Sequence, residues 1–175
     1  SSIAGALMIL FFIKLKTENI NDYLSLNSLN FKSSYYFFLA TFALLIVMEF
    51  ISKKYPDIFA TEFVLESYKS ANSLPLLYLG VVIFGPIFEE MLFRGFLFKG
   101  LQESFLGSTG AVIVSSIIFS AIHIQYGIAV IVFLLFPMSI LLGYARLKSN
   151  SLILPILLHS LNNLLTCLVT HFEIY

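Results

Sequence analysis

Apolar positions in this chain gather into long runs instead of recurring at every second or every third-to-fourth residue, and polar residues collect in the gaps. Such runs predict helices that are apolar on every face, which a bilayer solvates and water does not. The pattern predicts a partial span ending at Ile13, then helices near Tyr35–Ser52, Leu74–Gly100, Ser108–His123, Tyr126–Arg146 and Asn150–Thr170. Between Glu103 and Arg146 stand 42 residues with no Asp, Glu, Lys or Arg. As helix that stretch is roughly 63 Å long, enough for two crossings of a hydrocarbon core about 30 Å thick. Gln125-Tyr126-Gly127 is the polar break near its middle.

The fold class expected is therefore all-α, a polytopic membrane helical bundle of about six spans. Residues 1–73 read as N-terminal membrane helices and a connecting interfacial segment, and residues 74–175 as the membrane core, within one integral membrane domain. The run from Ile3 to Ile13 is too short to span, as if the chain began inside a helix. Asp57–Ser70 mixes Ile58, Phe59, Phe63, Val64 and Leu65 with Glu62, Glu66 and Lys69. It reads equally as a short helix on the membrane surface or as a loop.

Composition strengthens this picture without redirecting it. The chain is 59% hydrophobic and 11% charged, with a mean hydropathy of +0.94, outside the range of soluble domains. Its formal net charge is zero, so it carries no nucleic-acid footprint. The single Cys167 excludes an internal disulfide and reads as packing. Alternating spans put Lys14, Lys16, Lys32, Lys99, Arg146 and Lys148 on one side and Lys53, Lys54 and Lys69 on the other. The positive-inside rule makes the first side cytoplasmic, in an integral protein of the cell membrane.

Three ionisable residues interrupt this logic. Glu89, Glu90 and Arg94 lie at the heart of the run Leu74–Phe98, where each charge costs roughly 2.5–3.5 kcal/mol on insertion scales. Such groups face a polar cavity and have partners there. Glu90 and Arg94 are four apart and share a helix face, so they pair; Glu89 points roughly 100° away and is left to face the cavity. Two further spans offer partners, His123 behind Phe119 and His159 four residues before Asn163. At helical rise, Glu89 and His159 lie roughly 15 Å from one membrane edge and His123 roughly 22 Å, levels close enough to meet. Asn162 points to a neighbouring face, and His171 sits at the far membrane edge.

Pro86 and Pro155 stand just before Glu89 and His159 and free backbone carbonyls, a feature tolerated where backbone packs in protein or lines a wet cavity. Pro137, in a span with no ionisable residue, shows that proline alone is not diagnostic. Together these groups suit hydrolysis. A carboxylate and a histidine activate water, and a histidine and an amide donate to an oxyanion. A zinc version uses Glu89, His123 and His159 as ligands with water in the open position. Asn163, a poor zinc ligand and a natural donor, tilts the reading toward the metal-free version. A small proton-coupled transporter built on Glu89 is the reading from another class, but the inverted halves it would want are not seen.

These residues also carry a resemblance. Glu89-Glu90-Met91-Leu92-Phe93-Arg94 fits EExxxR, Phe119-Ser120-Ala121-Ile122-His123 fits FxxxH, and His159-Ser160-Leu161-Asn162-Asn163 fits HxxxN. In this order, on successive spans, they resemble the CPBP intramembrane proteases, the CAAX prenyl protease and bacteriocin-processing (Abi) family. The likeness covers roughly Leu74 to Thr170. It implies an all-helical core with a cavity open to the cytosol and endoproteolysis of a membrane-anchored or lipid-modified protein or peptide. Carried over by position, Glu89 and His123 activate water, His159 and Asn163 form an oxyanion hole, and Glu90 and Arg94 support them. The family is filed as metalloproteases, and some bacterial members are linked to immunity or scaffolding without cleavage. Full-size members have about eight helices, so the resemblance makes this chain a core or a truncation.

Overall fold

The computed structural model describes residues 2–16, 19–59 and 62–174, and among these there is helix but no strand. Seven helices carry the architecture: α1 (Ser2–Lys16), α2 (Phe31–Lys54), α3 (Glu62–Ser70), α4 (Leu74–Gln102), α5 (Gly107–Ala121), α6 (Ile128–Ser149) and α7 (Ile153–Ile174). Four are long and apolar enough to cross a membrane: α2 from Ser34, α4, α6, and α7 as far as Phe172. The apolar helices α1 and α5 are shorter. The predicted six apolar segments are thus all helical, four of them of spanning length, and the chain is an integral membrane protein. Of the two readings of Asp57–Ser70, the helical one holds, as Pro56–Phe59 and α3, with residues 60 and 61 outside the described set.

Loops alternate between two ends of the bundle. At the first end the short helix Ile20–Leu24 and the chain after it fold beneath the start of α7. The Leu152 amide donates to the Ser25 carbonyl at 3.0 Å, Asn27 Nδ2 donates to the Asn150 carbonyl at 2.7 Å, and Ser151 Oγ donates to the Asn27 carbonyl at 2.7 Å. Leu24 and Leu152 are buried there against Ile9, Ile13 and Met91. At the second end α3 closes on the α5–α6 turn and on α7. Phe63 packs edge-on against Tyr126 with centroids 5.1 Å apart, and the Tyr68 hydroxyl donates to the Cys167 carbonyl at 2.8 Å.

α4 is 29 residues long, and two stretches of it, Leu79–Phe84 and Met91–Leu97, are π-helical. The first follows from its sequence. The Gly85 amide donates five residues back, to Gly80, and Pro86 has no N–H to offer the Val81 carbonyl. That carbonyl takes a donor from α7 instead. In α6 the π-helical segment Ile131–Leu135 stands before Pro137, so the proline that looked undiagnostic relaxes its helix in the same way.

Candidate active site

α4 presents the acidic pair, α5 ends at one histidine, and α7 carries the other. Glu90 and Arg94 are wholly buried, and Arg94 Nη1 donates to Glu90 Oε1 at 2.9 Å, the pairing their spacing predicts. Two further contacts of the guanidinium were not legible in that spacing. Nη2 donates to Ser139 on α6, to Oγ at 2.6 Å and to the carbonyl at 3.0 Å. The guanidinium also lies over the Phe119 ring, 4.6 Å from its centroid.

Glu90 does more than neutralise Arg94. Its Oε1 also accepts from His159 Nδ1 at 2.8 Å, so one carboxylate oxygen ties α4 to α7. His123 lies just beyond the end of α5, in a turn that closes at Gly127. The backbone there (φ 84°, ψ 153°) belongs to a region open essentially to glycine alone. His123 Nδ1 donates to the Phe119 carbonyl at 2.7 Å, since a carbonyl only accepts. The Phe119 ring packs on His123, on His159 and on Phe93, with centroids 4.6, 5.8 and 5.2 Å away. The aromatic of the second motif is therefore the wedge that sets both imidazoles.

Glu89, with a quarter of its side chain exposed, faces those imidazoles. Its Oε2 lies 3.8 Å from His123 Nε2 and 3.8 Å from His159 Nε2. With both Nδ1 atoms donating elsewhere, each neutral ring turns a lone pair toward a carboxylate oxygen that also only accepts. Three converging acceptors require a donor or a cation between them: a proton on one ring, a water, or a metal ion. The 3.8 Å gaps are too long for direct hydrogen bonds.

Asn163 sits half-buried one turn beyond His159, with one amide hydrogen committed. Its Nδ2 donates to the Val81 carbonyl at 2.9 Å, the carbonyl that Pro86 leaves without an in-helix partner, and its Oδ1 accepts from Asn162 at 2.9 Å. The structure thus brings Glu89, Glu90, Arg94, His123 and His159 into one cluster and holds Asn163 beside it, hydrogen-bonded to none of the five. Arg146, expected in a loop, is buried with 4% of its surface exposed. α6 runs on to Ser149, so Arg146 is still helical and turns inward. Its Nε donates to the Arg94 carbonyl at 3.1 Å and its Nη2 to Ser25 Oγ at 2.7 Å.

The donor set suits a zinc ion chemically, with two imidazoles held at Nδ1 by acceptors and one carboxylate. Their spacing is wider than that of a formed centre. Ligands of tetrahedral zinc stand about 3.3 Å apart, and among the described residues no three His, Cys, Asp or Glu groups are gathered closely enough to hold an ion as they stand. Both carboxylate–imidazole separations, at 3.8 Å, exceed that figure by about 0.5 Å.

Residues 71–165, which include every residue of this cluster except the supporting Ser25, match the family model described as type II CAAX prenyl endopeptidase Rce1-like. A protein of Escherichia coli, described as an uncharacterized 24.3 kDa protein, is 34% identical over 93 residues, 52% of this chain and 42% of that protein. The chain thus aligns with less than half the length of this curated relative. No solved structure matches it with significance.

Proposed function

Because the chain belongs to the type II CAAX prenyl endopeptidase family, Rce1-like, we propose that it is an intramembrane endopeptidase that hydrolyses a peptide bond in a membrane-anchored or lipid-modified protein or peptide. The observation that carries this reading is the convergence of Glu89 Oε2 with the Nε2 atoms of His123 and His159, each at 3.8 Å, in partly accessible space inside a membrane bundle. A water between Glu89 and His123 gives up a proton to Glu89 as its oxygen attacks the scissile carbonyl. The tetrahedral intermediate then collapses. The C–N bond breaks, the same proton passes to the leaving nitrogen, and the products are a new carboxylate and a new amine. Glu90 and Arg94 act by orientation, fixing the His159 ring through Nδ1. His159 when protonated, and the remaining N–H of Asn163, offer hydrogen bonds to the oxyanion. Purified protein in lipid nanodiscs should cleave a membrane-anchored peptide, and His123→Ala should not, while staying folded and inserted.

A divalent ion such as zinc would be held by Glu89, His123 and His159 and would supply Lewis-acid polarisation of the water or carbonyl. If such an ion belongs to the site, titration with zinc loads about one ion per chain on wild type and none on His159→Ala. Chelation that leaves cleavage untouched removes the ion from the reading.

The protein is read as residing in the cell membrane, with its site open to the cytoplasm. Glu90, Arg94, Arg146, Leu24 and Leu152, which lie toward the first end, are all buried, and this supports access of water to Glu89 from the second end or from the side. Cytoplasmic access then turns the second end inward, the reverse of the orientation drawn from the lysine count. Burying Arg146 weakens that count, since six cations against three become five against three. In intact cells a cysteine replacing Lys69 should resist a membrane-impermeant thiol reagent and one replacing Lys148 should react; the opposite pattern restores the count-based orientation.

A further inference from the structure

The hydrolytic reading leaves the oxyanion poorly served. The Nδ1 hydrogen of His159 is given to Glu90 at 2.8 Å, so Nε2 donates only when the ring is charged. Asn163 spends one of its two amide hydrogens on Val81. A site of this kind works through donors already aimed at the charge that develops, which raises the question of what else lies within reach.

Tyr126 does. It ends the short 3-10 turn Ile124–Tyr126 that follows His123, and its amide donates to the His123 carbonyl at 3.1 Å, so its backbone position is fixed to that of the histidine. Its ring lies beside that of His123, with centroids 5.9 Å apart and planes 35° from parallel. Phe63 of α3 backs it edge-on at 5.1 Å. The phenol of this half-buried residue makes no hydrogen bond among the described residues, which leaves its donor available to a ligand. Burial, and after it the Glu89 carboxylate, pushes the ionisation of this hydroxyl upward. A phenol, with an ordinary pKa of about 10, is in any case a donor at neutral pH.

We infer that Tyr126 is a further catalytic residue, whose hydroxyl hydrogen-bonds the carbonyl oxygen of the scissile peptide as that oxygen takes up negative charge. This rests on the endopeptidase reading of the same site. Placement on the turn next to His123 couples the donor to the group that positions the water, and Phe63 limits the swing of its ring. The chemistry selects a peptide or ester carbonyl as the ligand, since the group needs only an oxygen that gains charge on attack.

Tyr126→Phe keeps the ring, its contact with His123 and its contact with Phe63, and deletes one hydroxyl. Measured in nanodiscs on a membrane-anchored peptide, kcat should fall roughly 10²-fold with KM and thermal unfolding temperature unchanged. Affinity for a phosphinic peptide, which mimics the tetrahedral species, should fall by a similar factor. A variant with wild-type kcat, or one whose loss appears in KM or in unfolding temperature alone, overturns the assignment. The underlying reading is judged separately by cleavage in wild type and its loss in Glu89→Gln. If those two behave as expected while Tyr126→Phe matches wild type, Tyr126 alone is dismissed. If wild type does not cleave, both readings fall.

Discussion

Glu89→Gln should lower the rate of peptide cleavage roughly 10²–10⁴-fold, the range over which a positioned general base contributes, with no loss of folded protein. The substitution keeps volume and shape and removes only the ability to take a proton. Glu89 makes no hydrogen bond among the described residues; its ion-pair neighbours are the two imidazoles at 3.8 Å, and its side chain is a quarter exposed. His123→Ala should be equally inactive. In the proposed mechanism the two residues act on one water, so the double variant should be little worse than either single one, a non-additivity that independent contributions would not give. Rates measured on one anchored peptide across the four proteins check this. Near-wild-type cleavage by both single variants would remove the base and its histidine from the reaction.

The second large effect falls on stability. Arg94→Ala should cost about 3–5 kcal/mol, the range for breaking a buried ion pair, seen as a lower unfolding temperature and reduced accumulation in membranes. Glu90 is fully buried, and its Oε2 has no hydrogen-bond partner among the described residues, so without Arg94 the carboxylate keeps the His159 contact alone of those described. The variant also abandons Ser139 on α6 and the stacking on Phe119. Adding Glu90→Gln should recover part of the loss, because an amide is far cheaper to bury than an uncompensated charge. A double-mutant cycle with no coupling between the two positions would contradict the pairing.

Much of this arrangement is legible in the sequence because the bilayer punishes exceptions. Charges at positions 89, 90 and 94 stand out in an apolar run, and the spacing of four between Glu90 and Arg94 carries their pairing into the structure at 2.9 Å. The six apolar segments are likewise visible as runs. What the pattern cannot carry is contact between spans. Nothing in the spacing of α7 says that His159 reaches Glu90, which settles the ring tautomer. Ser139 looks like one more small residue in a charge-free helix, yet it holds the Arg94 guanidinium. Asn163 reads as a site donor by its place after His159, but a π-helical turn near Pro86 leaves the Val81 carbonyl open and draws one of its hydrogens there. Arg146 reads as a loop cation until the helix is seen to continue to Ser149 and carry it inside.

The central claim is that Glu89 and His123 direct a water at a peptide carbonyl, and isotope transfer tests it directly. Membranes containing wild type or Glu89→Gln are incubated in water enriched in ¹⁸O, and their peptides are compared by mass spectrometry. Wild type should yield peptides with a new C-terminal carboxylate carrying one ¹⁸O atom, each absent from the Glu89→Gln membranes. Identical peptide sets, or new carboxylates formed equally in the variant, would contradict it.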